Sequence, residues 1–378
     1  MRNALFAGLI SAGAGLFLIF GMEGRGVAAD AEFESSAGRL SVTPLVSGLD
    51  LPWAVAPVPG GGALITEQPG RLWLFDEEWQ RREVSGVPEV AFDNQGGLLD
   101  VALAGDFAET GIVFLSFSEP VGRRARTSVV RAVLDREAAA LGDVTVIFRQ
   151  TPALSGGRHF GSRIVEAADG TLFVTTGDRG ERDMAQDPDS HVGKVIRITR
   201  DGGVPGDNPY VAGGALPEIW SIGHRNIQGA ALDETGQLWT LSHGARGGDE
   251  VNRPEPGLNY GWPVISYGRH YSGFSIGEGT AKAGMEQPKF YWDPSIAPSG
   301  LAHYDGALFP QWQGDLFAGS LKFDYIARLD REGTEIRGEE RLFQGEYGRI
   351  RDIAVAPDGS LWFLAMEDGA LYRIAPAE

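Results

Sequence analysis

Apolar residues in this chain fall in short runs between clusters of Gly, Pro, Asp and Asn, and helical spacing is scarce. That texture predicts short strands joined by turns. One switch from polar to apolar recurs: glycine, any residue, an aliphatic, then an aliphatic or aromatic. It reads Gly62-Ala63-Leu64-Ile65, Gly111-Ile112-Val113-Phe114, Gly170-Thr171-Leu172-Phe173, Gly236-Gln237-Leu238-Trp239, Gly314-Asp315-Leu316-Phe317 and Gly359-Ser360-Leu361-Trp362. The glycines lie 49, 59, 66, 78 and 45 residues apart. A glycine turn feeding an apolar strand at such intervals marks the blades of a propeller, so the sequence predicts an all-β, six-bladed β-propeller. Second strands follow closely at Gly70-Arg71-Leu72-Trp73 and Gly369-Ala370-Leu371-Tyr372, and are expected to form the outer hairpins of the first and last blades. Arg136 to Leu141 can make one turn of helix at most.

The first 29 residues read as a secretory signal: Arg2, an apolar Gly/Ala-rich run from Ala4 to Phe20, then Val27-Ala28-Ala29 before Asp30. An uncleaved membrane anchor is the alternative, although a run of 17 residues with Gly8, Gly13 and Gly15 inside it is short for a span. Residues 30–378 then make one propeller domain in a periplasmic or secreted protein, with no membrane insertion after cleavage. The chain has no cysteine, which excludes disulfides, thiolate metal sites and cysteine nucleophiles. Its formal charge is −18, and residues 1–29 carry Arg2, Arg25 and Glu23, a net +1, so the remainder is near −19. That acidity argues against nucleic acid and anionic membranes as partners. A monomer is the default expectation, because no apolar seam stands out.

The repeat builds a rigid ring, so chemistry is sought in its loops. Gly156-Gly157-Arg158-His159-Phe160-Gly161 presents an imidazole between glycines, a natural general base or an ordinary loop histidine. Gly223-His224-Arg225-Asn226-Ile227-Gln228-Gly229 puts a fixed cation beside an amide. His243-Gly244-Ala245-Arg246-Gly247-Gly248-Asp249-Glu250-Val251-Asn252 can turn carbonyls and carboxylates toward a hard cation such as Ca²⁺, without the spacing of an EF-hand, or be an ordinary solvated loop. Arg349 and Arg351, two apart on a strand, are expected to face one side, and Lys322 follows the fifth repeat. Arg225, Lys322, Arg349 and Arg351 could therefore meet at the ring axis. An acidic protein that concentrates cations in one funnel suggests an anionic ligand there.

These segments, from Leu51-Pro52-Trp53 to Arg349-Ile350-Arg351-Asp352, resemble those of the soluble aldose sugar dehydrogenases that depend on pyrroloquinoline quinone (PQQ), the glucose/sorbosone dehydrogenase family. The resemblance spans most of the chain after the leader. It implies oxidation of an aldose at the anomeric carbon to a lactone, with hydride passing to a tricarboxylate quinone at the ring axis. His159 would be the base. Arg225 and Asn226 would contact the quinone, with Arg225 near its reactive carbonyl. Gln95 would line the sugar and cofactor pocket, and Tyr271 would touch the cofactor. Lys322, Arg349 and Arg351 would hold its carboxylates and polar edge. Backbone oxygens of Gly244 and Ala245 would hold a catalytic Ca²⁺, while Glu250 and the carbonyl of Tyr260 match a second, structural Ca²⁺ site. The family segment usually reads His-Gly-Pro-Arg; here Ala245 replaces the proline, which leaves calcium affinity rather than mechanism in question. Ile227 also stands where the family often has proline, with little consequence.

Two other readings of the same fold stay open. A Ca²⁺-dependent lactonase needs acidic and amide side chains around an axial metal, without an arginine cluster. A non-catalytic binding propeller would take no quinone. Neither the preferred sugar nor the electron acceptor is readable from the chain.

Overall fold

All six repeat glycines sit in the left-handed region, with φ between 66° and 86°. A side chain there is strained, and at Gly62 a Cβ would also stand 2.1 Å from the Phe75 carbonyl oxygen. Each glycine closes the turn between the first and second strands of a blade. The second strands are Ala63–Glu67, Ile112–Val121, Thr171–Thr176, Leu238–Ser242, Leu316–Ser320 and Leu361–Ala365. The computed structural model describes residues 30–377. The proposed leader over residues 1–29 lies outside them.

Six antiparallel sheets result, five of four strands and one of five. Their first strands are Pro52–Pro57, Leu98–Leu103, Gly161–Glu166, Ile227–Leu232, Pro298–His303 and Ile350–Val355. These pack side by side around the axis in chain order, and the sixth returns to the first. The ring is closed by the N-terminal strand Gly38–Val46, which pairs with Ala370–Pro376 in the sixth blade. Buried apolar clusters fill the faces between neighbouring blades, for instance Leu98, Leu115 and Val130 against Leu64 and Leu72. The core therefore lies between blades, and leaves the axis to polar groups.

Two local expectations change. Arg71–Phe75 and Ala370–Pro376 are third strands rather than outer hairpins, because Arg81–Glu83 and the N-terminal strands lie outside them. Residues 136–139 form a plain turn between Arg124–Asp135 and Ala140–Arg149, with no helix. Among the described residues no helix is long and apolar enough to cross a membrane.

Every first strand carries a β-bulge near its start, where the ladder with the second strand slips by one residue. In three blades the extra residue is a single one: Trp53, Gln228 and Arg351. A bulge breaks the two-residue alternation and re-aims a side chain. Here six bulges at the same level turn side chains toward the hub.

Candidate active site

A cavity of about 530 Å³ opens on the hub at the end where the first strands begin. It is lined by Gln95, His159, Arg225, Asn226, Tyr271, Lys322 and Arg349, and also by Gly244 and Ala245. A second cavity, of about 430 Å³, adjoins it along the axis and adds Trp53, Gln228 and Arg351. The cations expected to converge are thus on one continuous space, although the same wall also carries Asp324 and Glu367.

His159 stands on the loop before the third blade, its imidazole mostly buried. The Gln95 side-chain oxygen accepts from the His159 backbone N–H at 2.7 Å, which fixes the loop. His159 Nδ1 lies 2.6 Å from Asp178 Oδ1. Asp178 is held in turn by the Gly180 N–H at 2.8 Å and the Trp262 indole N–H at 2.9 Å. The chain passes close here: a Cβ on Gly177 would stand 2.0 Å from the His159 carbonyl oxygen, so only glycine fits. On the other side, an Arg225 Nη lies 3.5 Å from His159 Nε2. A guanidinium only donates, so Nε2 is assigned as the acceptor and Nδ1–H as the donor to Asp178. Burial lowers the His159 pKa and the Arg225 charge adds to that, against the opposing pull of Asp178. The imidazole is consequently neutral near pH 7, with its lone pair toward the cavity. Burial opposes the Asp178 charge, but the His159 contact and Arg225 hold its pKa below the usual range.

Arg225 also donates to the His243 carbonyl at 3.1 Å and lies over the Trp262 ring, 5.3 Å from its centre. Asn226 is buried and accepts from the Gly161 N–H at 3.1 Å. Tyr271 projects from the long loop of the fourth blade and is 77% exposed.

The Gly244–Ala245 segment is anchored by Asp249. That buried carboxylate accepts from the Gly244 N–H at 2.7 Å and from the Ile296 N–H at 2.7 Å. It thereby ties two loops of the cavity wall together. Among the described residues no three His, Asp or Glu side chains converge as a metal site. Glu250 and Tyr260 do not line either cavity. Burial pushes the Glu250 carboxyl up to about 7, and its one hydrogen bond is to Asn252. Tyr260 stacks on His224 at 4.8 Å, and its hydroxyl donates to the Arg253 carbonyl.

The alternation argument for Arg349 and Arg351 does not hold. Arg349 precedes the strand and is exposed, while Arg351 is the bulged residue and is buried. They still share the axial cavity. Burial drives the Arg351 pKa down to about 9, and its Nε and one Nη have no partner. Below lies a buried network. Arg163 donates to Asp100 at 3.0 Å, to Asp352 at 2.7 Å and to the Gln228 carbonyl at 2.7 Å.

Asp178, Trp262, Asp249, Trp53 and Arg163 were not singled out from the sequence. Asp178 had a usable signal, since Gly177-Asp178-Arg179-Gly180 shows the same glycine-flanked polar pattern as the other loops. The two tryptophans read as ordinary core.

The Glucose / Sorbosone dehydrogenase family profile matches residues 49–373. Aldose sugar dehydrogenase YliI of Escherichia coli is 43% identical over 355 residues, covering 90% of this chain and 94% of the relative. The crystal structure of the soluble aldose sugar dehydrogenase of Escherichia coli, in its apo form, superposes with a TM-score of 0.86 at 42% identity, covering 89% of this chain and 100% of that one. The PQQ-bound aldose sugar dehydrogenase of Streptomyces coelicolor superposes with a TM-score of 0.75 at 28% identity, covering 91% and 99%. The chain belongs to the glucose/sorbosone dehydrogenase family, and is an oxidoreductase of the PQQ-type propeller kind that acts on sugars.

Proposed function

We propose that the protein oxidises aldoses at the anomeric carbon to lactones, with PQQ held at the hub and Ca²⁺ beside it. One observation carries this reading: a neutral, oriented imidazole opens onto the same space as five cationic residues, Arg225, Arg246, Lys322, Arg349 and Arg351. The chain's own donors fit a tricarboxylate. Arg351 Nε and one Nη are buried without partners, and Lys322 and Arg349 stand exposed on the cavity wall. Buried donors of this kind are costly unless a ligand meets them. The fit for calcium is of a different kind. Gly244 and Ala245 line the cavity, and their backbone carbonyls are oxygen ligands of the kind a hard cation takes. Glu250 and the Tyr260 carbonyl would serve a structural Ca²⁺; a buried carboxyl with only an amide for partner supports that assignment. The bound PQQ of the Streptomyces coelicolor relative supports the cofactor.

When bound, the quinone supplies the two-electron acceptor for the hydride and Ca²⁺ a Lewis acid next to it. The residues do the rest. His159 Nε2 takes the anomeric hydroxyl proton, and Asp178 stabilises the imidazolium that forms. Arg225 holds a fixed positive charge where negative charge gathers in the transition state. Gln95 keeps the His159 loop in place, and Asn226 lines the pocket beside Arg225. With residues 1–29 as an export signal, the enzyme would act in the periplasm or outside the cell.

A lactonase would need carboxylates free at the axis. Asp100 and Asp352 are bound to Arg163, and Asp324 and Glu367 on the cavity wall belong to no three-residue metal cluster among the described residues. The deciding experiment supplies the apoprotein with PQQ and Ca²⁺ and follows reduction of a dye by a panel of aldoses. Activity should require both additions. No oxidation of any aldose under those conditions overturns the proposal.

A further inference from the structure

The floor of the axial cavity is assembled from bulged residues of the first strands. Arg351 donates through one Nη to the Gln228 side-chain oxygen at 2.8 Å, and its guanidinium carbon lies 4.2 Å from the centre of the Trp53 indole. Its remaining Nε and Nη are buried and unpartnered, at the boundary of the cavity. The nearby carboxylates pull on this charge from a distance but make no hydrogen bond to it. Asp100 and Asp352 both bind Arg163, whose own guanidinium carbon lies 4.4 Å from the centre of the same indole.

Two cations therefore share one aromatic ring. One is neutralised by two carboxylates; the other has a single amide hydrogen bond. For a desolvated guanidinium the ring's electron-rich face adds to the distant pull of Asp100 and Asp352. The ring also fixes the tilt of the planar fork, and so the direction in which its free N–H groups point. Trp53 is the extra residue at the register slip of its strand and lines the axial cavity.

We infer that Trp53 is a positioning residue, which holds the Arg351 guanidinium so that its free N–H groups face an acidic ligand in the axial cavity. This rests on the reading of that ligand as PQQ. Trp53 touches no reacting atom; it acts through Arg351.

The test titrates full-length apoprotein with PQQ in the presence of Ca²⁺ and follows the shift in quinone absorption. The proteins are wild type, W53F, W53L, R351Q and the double variant W53L/R351Q. R351Q should weaken binding. W53L should weaken it roughly ten- to thirty-fold, the size of a desolvated cation–π contact. W53F, which keeps an aromatic face, should recover most of that loss. The double variant should bind no worse than R351Q, because the indole has nothing left to orient. Unchanged affinity in W53L overturns the inference. So does a W53L loss that adds in full to that of R351Q, the mark of a purely structural role. If W53L does not fold, W53F decides: a weakening that disappears in the R351Q background supports positioning, and one that persists overturns it. A wild type that binds no PQQ overturns both this inference and the proposed function, whereas wild-type binding with W53L unaffected overturns this one alone.

Discussion

The wall and the floor of the hub cavity face opposite electrostatic demands. The wall holds an imidazole neutral: His159 lies between the Asp178 carboxylate and the Arg225 guanidinium, and burial with Arg225 outweighs Asp178. The floor holds cations charged: Arg163 is neutralised by two carboxylates and Arg351 is left in surplus. Their construction differs as well. The wall is made of loops, each fixed by a few local hydrogen bonds. The floor is made of first strands, and its groups brace several blades at once. Arg163 of the third blade reaches Asp100 of the second, Gln228 of the fourth and Asp352 of the sixth. Loss of a wall side chain should therefore remove activity at little cost to the fold, and loss of a floor side chain should loosen the ring.

The sharpest separation comes from H159A. It removes the proposed base but not the backbone N–H that binds Gln95. Turnover with PQQ and Ca²⁺ should fall by roughly 10²–10⁴-fold, the contribution of a positioned base. The urea midpoint should stay close to wild type. A near wild-type rate removes His159 from that role.

R163M is the counterpart in the floor. It leaves Asp100 and Asp352 buried without their cation, which should cost about 3–5 kcal/mol of stability, measured by urea unfolding at pH 7. The sign with pH follows from Asp100, whose carboxyl burial already raises to about 6 with Arg163 present. A carboxyl with a raised folded-state pKa loses stability as pH rises through that value. The penalty in R163M should be greatest above pH 6 and shrink as pH falls. Equal penalties at pH 5 and pH 8 would show that the lost cation is not the cause.

The same contrast explains what the sequence disclosed. The blades were readable because each Gly-led turn needs a positive φ that only glycine adopts freely, so the constraint prints itself six times. The wall was readable because its loops crowd His, Arg, Asn and glycine into short segments. The floor was not. Side-chain alternation predicts which face a strand residue shows, and one extra residue reverses it. Trp53 and Arg163 therefore look like ordinary strand positions, and Arg351 reaches the cavity for a reason unrelated to its spacing from Arg349. Ring closure by Gly38–Val46 was likewise invisible, because it depends on a partner at the far end of the chain.

Within the wall, the two neighbours of His159 should act with opposite sign. Arg225 lowers the imidazole pKa and Asp178 raises it. A base must be unprotonated, so the acid limb of kcat/KM reports that pKa in the free enzyme. In wild type the limb should lie below the ordinary histidine value near 6.5. R225Q should move it to higher pH, and D178N to lower pH with a reduced rate. Imidazole NMR titration gives the same readout where turnover is too slow. Shifts of the same sign in both variants would break the assignment of the wall as a balanced pair.

The smallest effect tests whether loop anchoring can replace backbone stiffness. Ala245 stands where the family usually has proline, and its neighbours are already restrained: Asp249 binds the Gly244 N–H, and the Arg246 N–H donates to the Arg269 carbonyl at 3.1 Å. Ala245 does not have a positive φ, so its backbone places no obvious bar to proline. A245P should then act mainly by narrowing the conformations of the unbound loop, an effect of about 0.4–1 kcal/mol. That corresponds to a calcium affinity a few-fold tighter, read by titrating Ca²⁺ into the apoprotein and following its melting temperature. The pH limb set by His159 should not move, because the substitution leaves Asp178 and Arg225 in place. If A245P tightens calcium far beyond this range, the hydrogen bonds of Asp249 and Arg246 do little to order the loop. If it changes nothing, those bonds already supply what proline supplies elsewhere in the family.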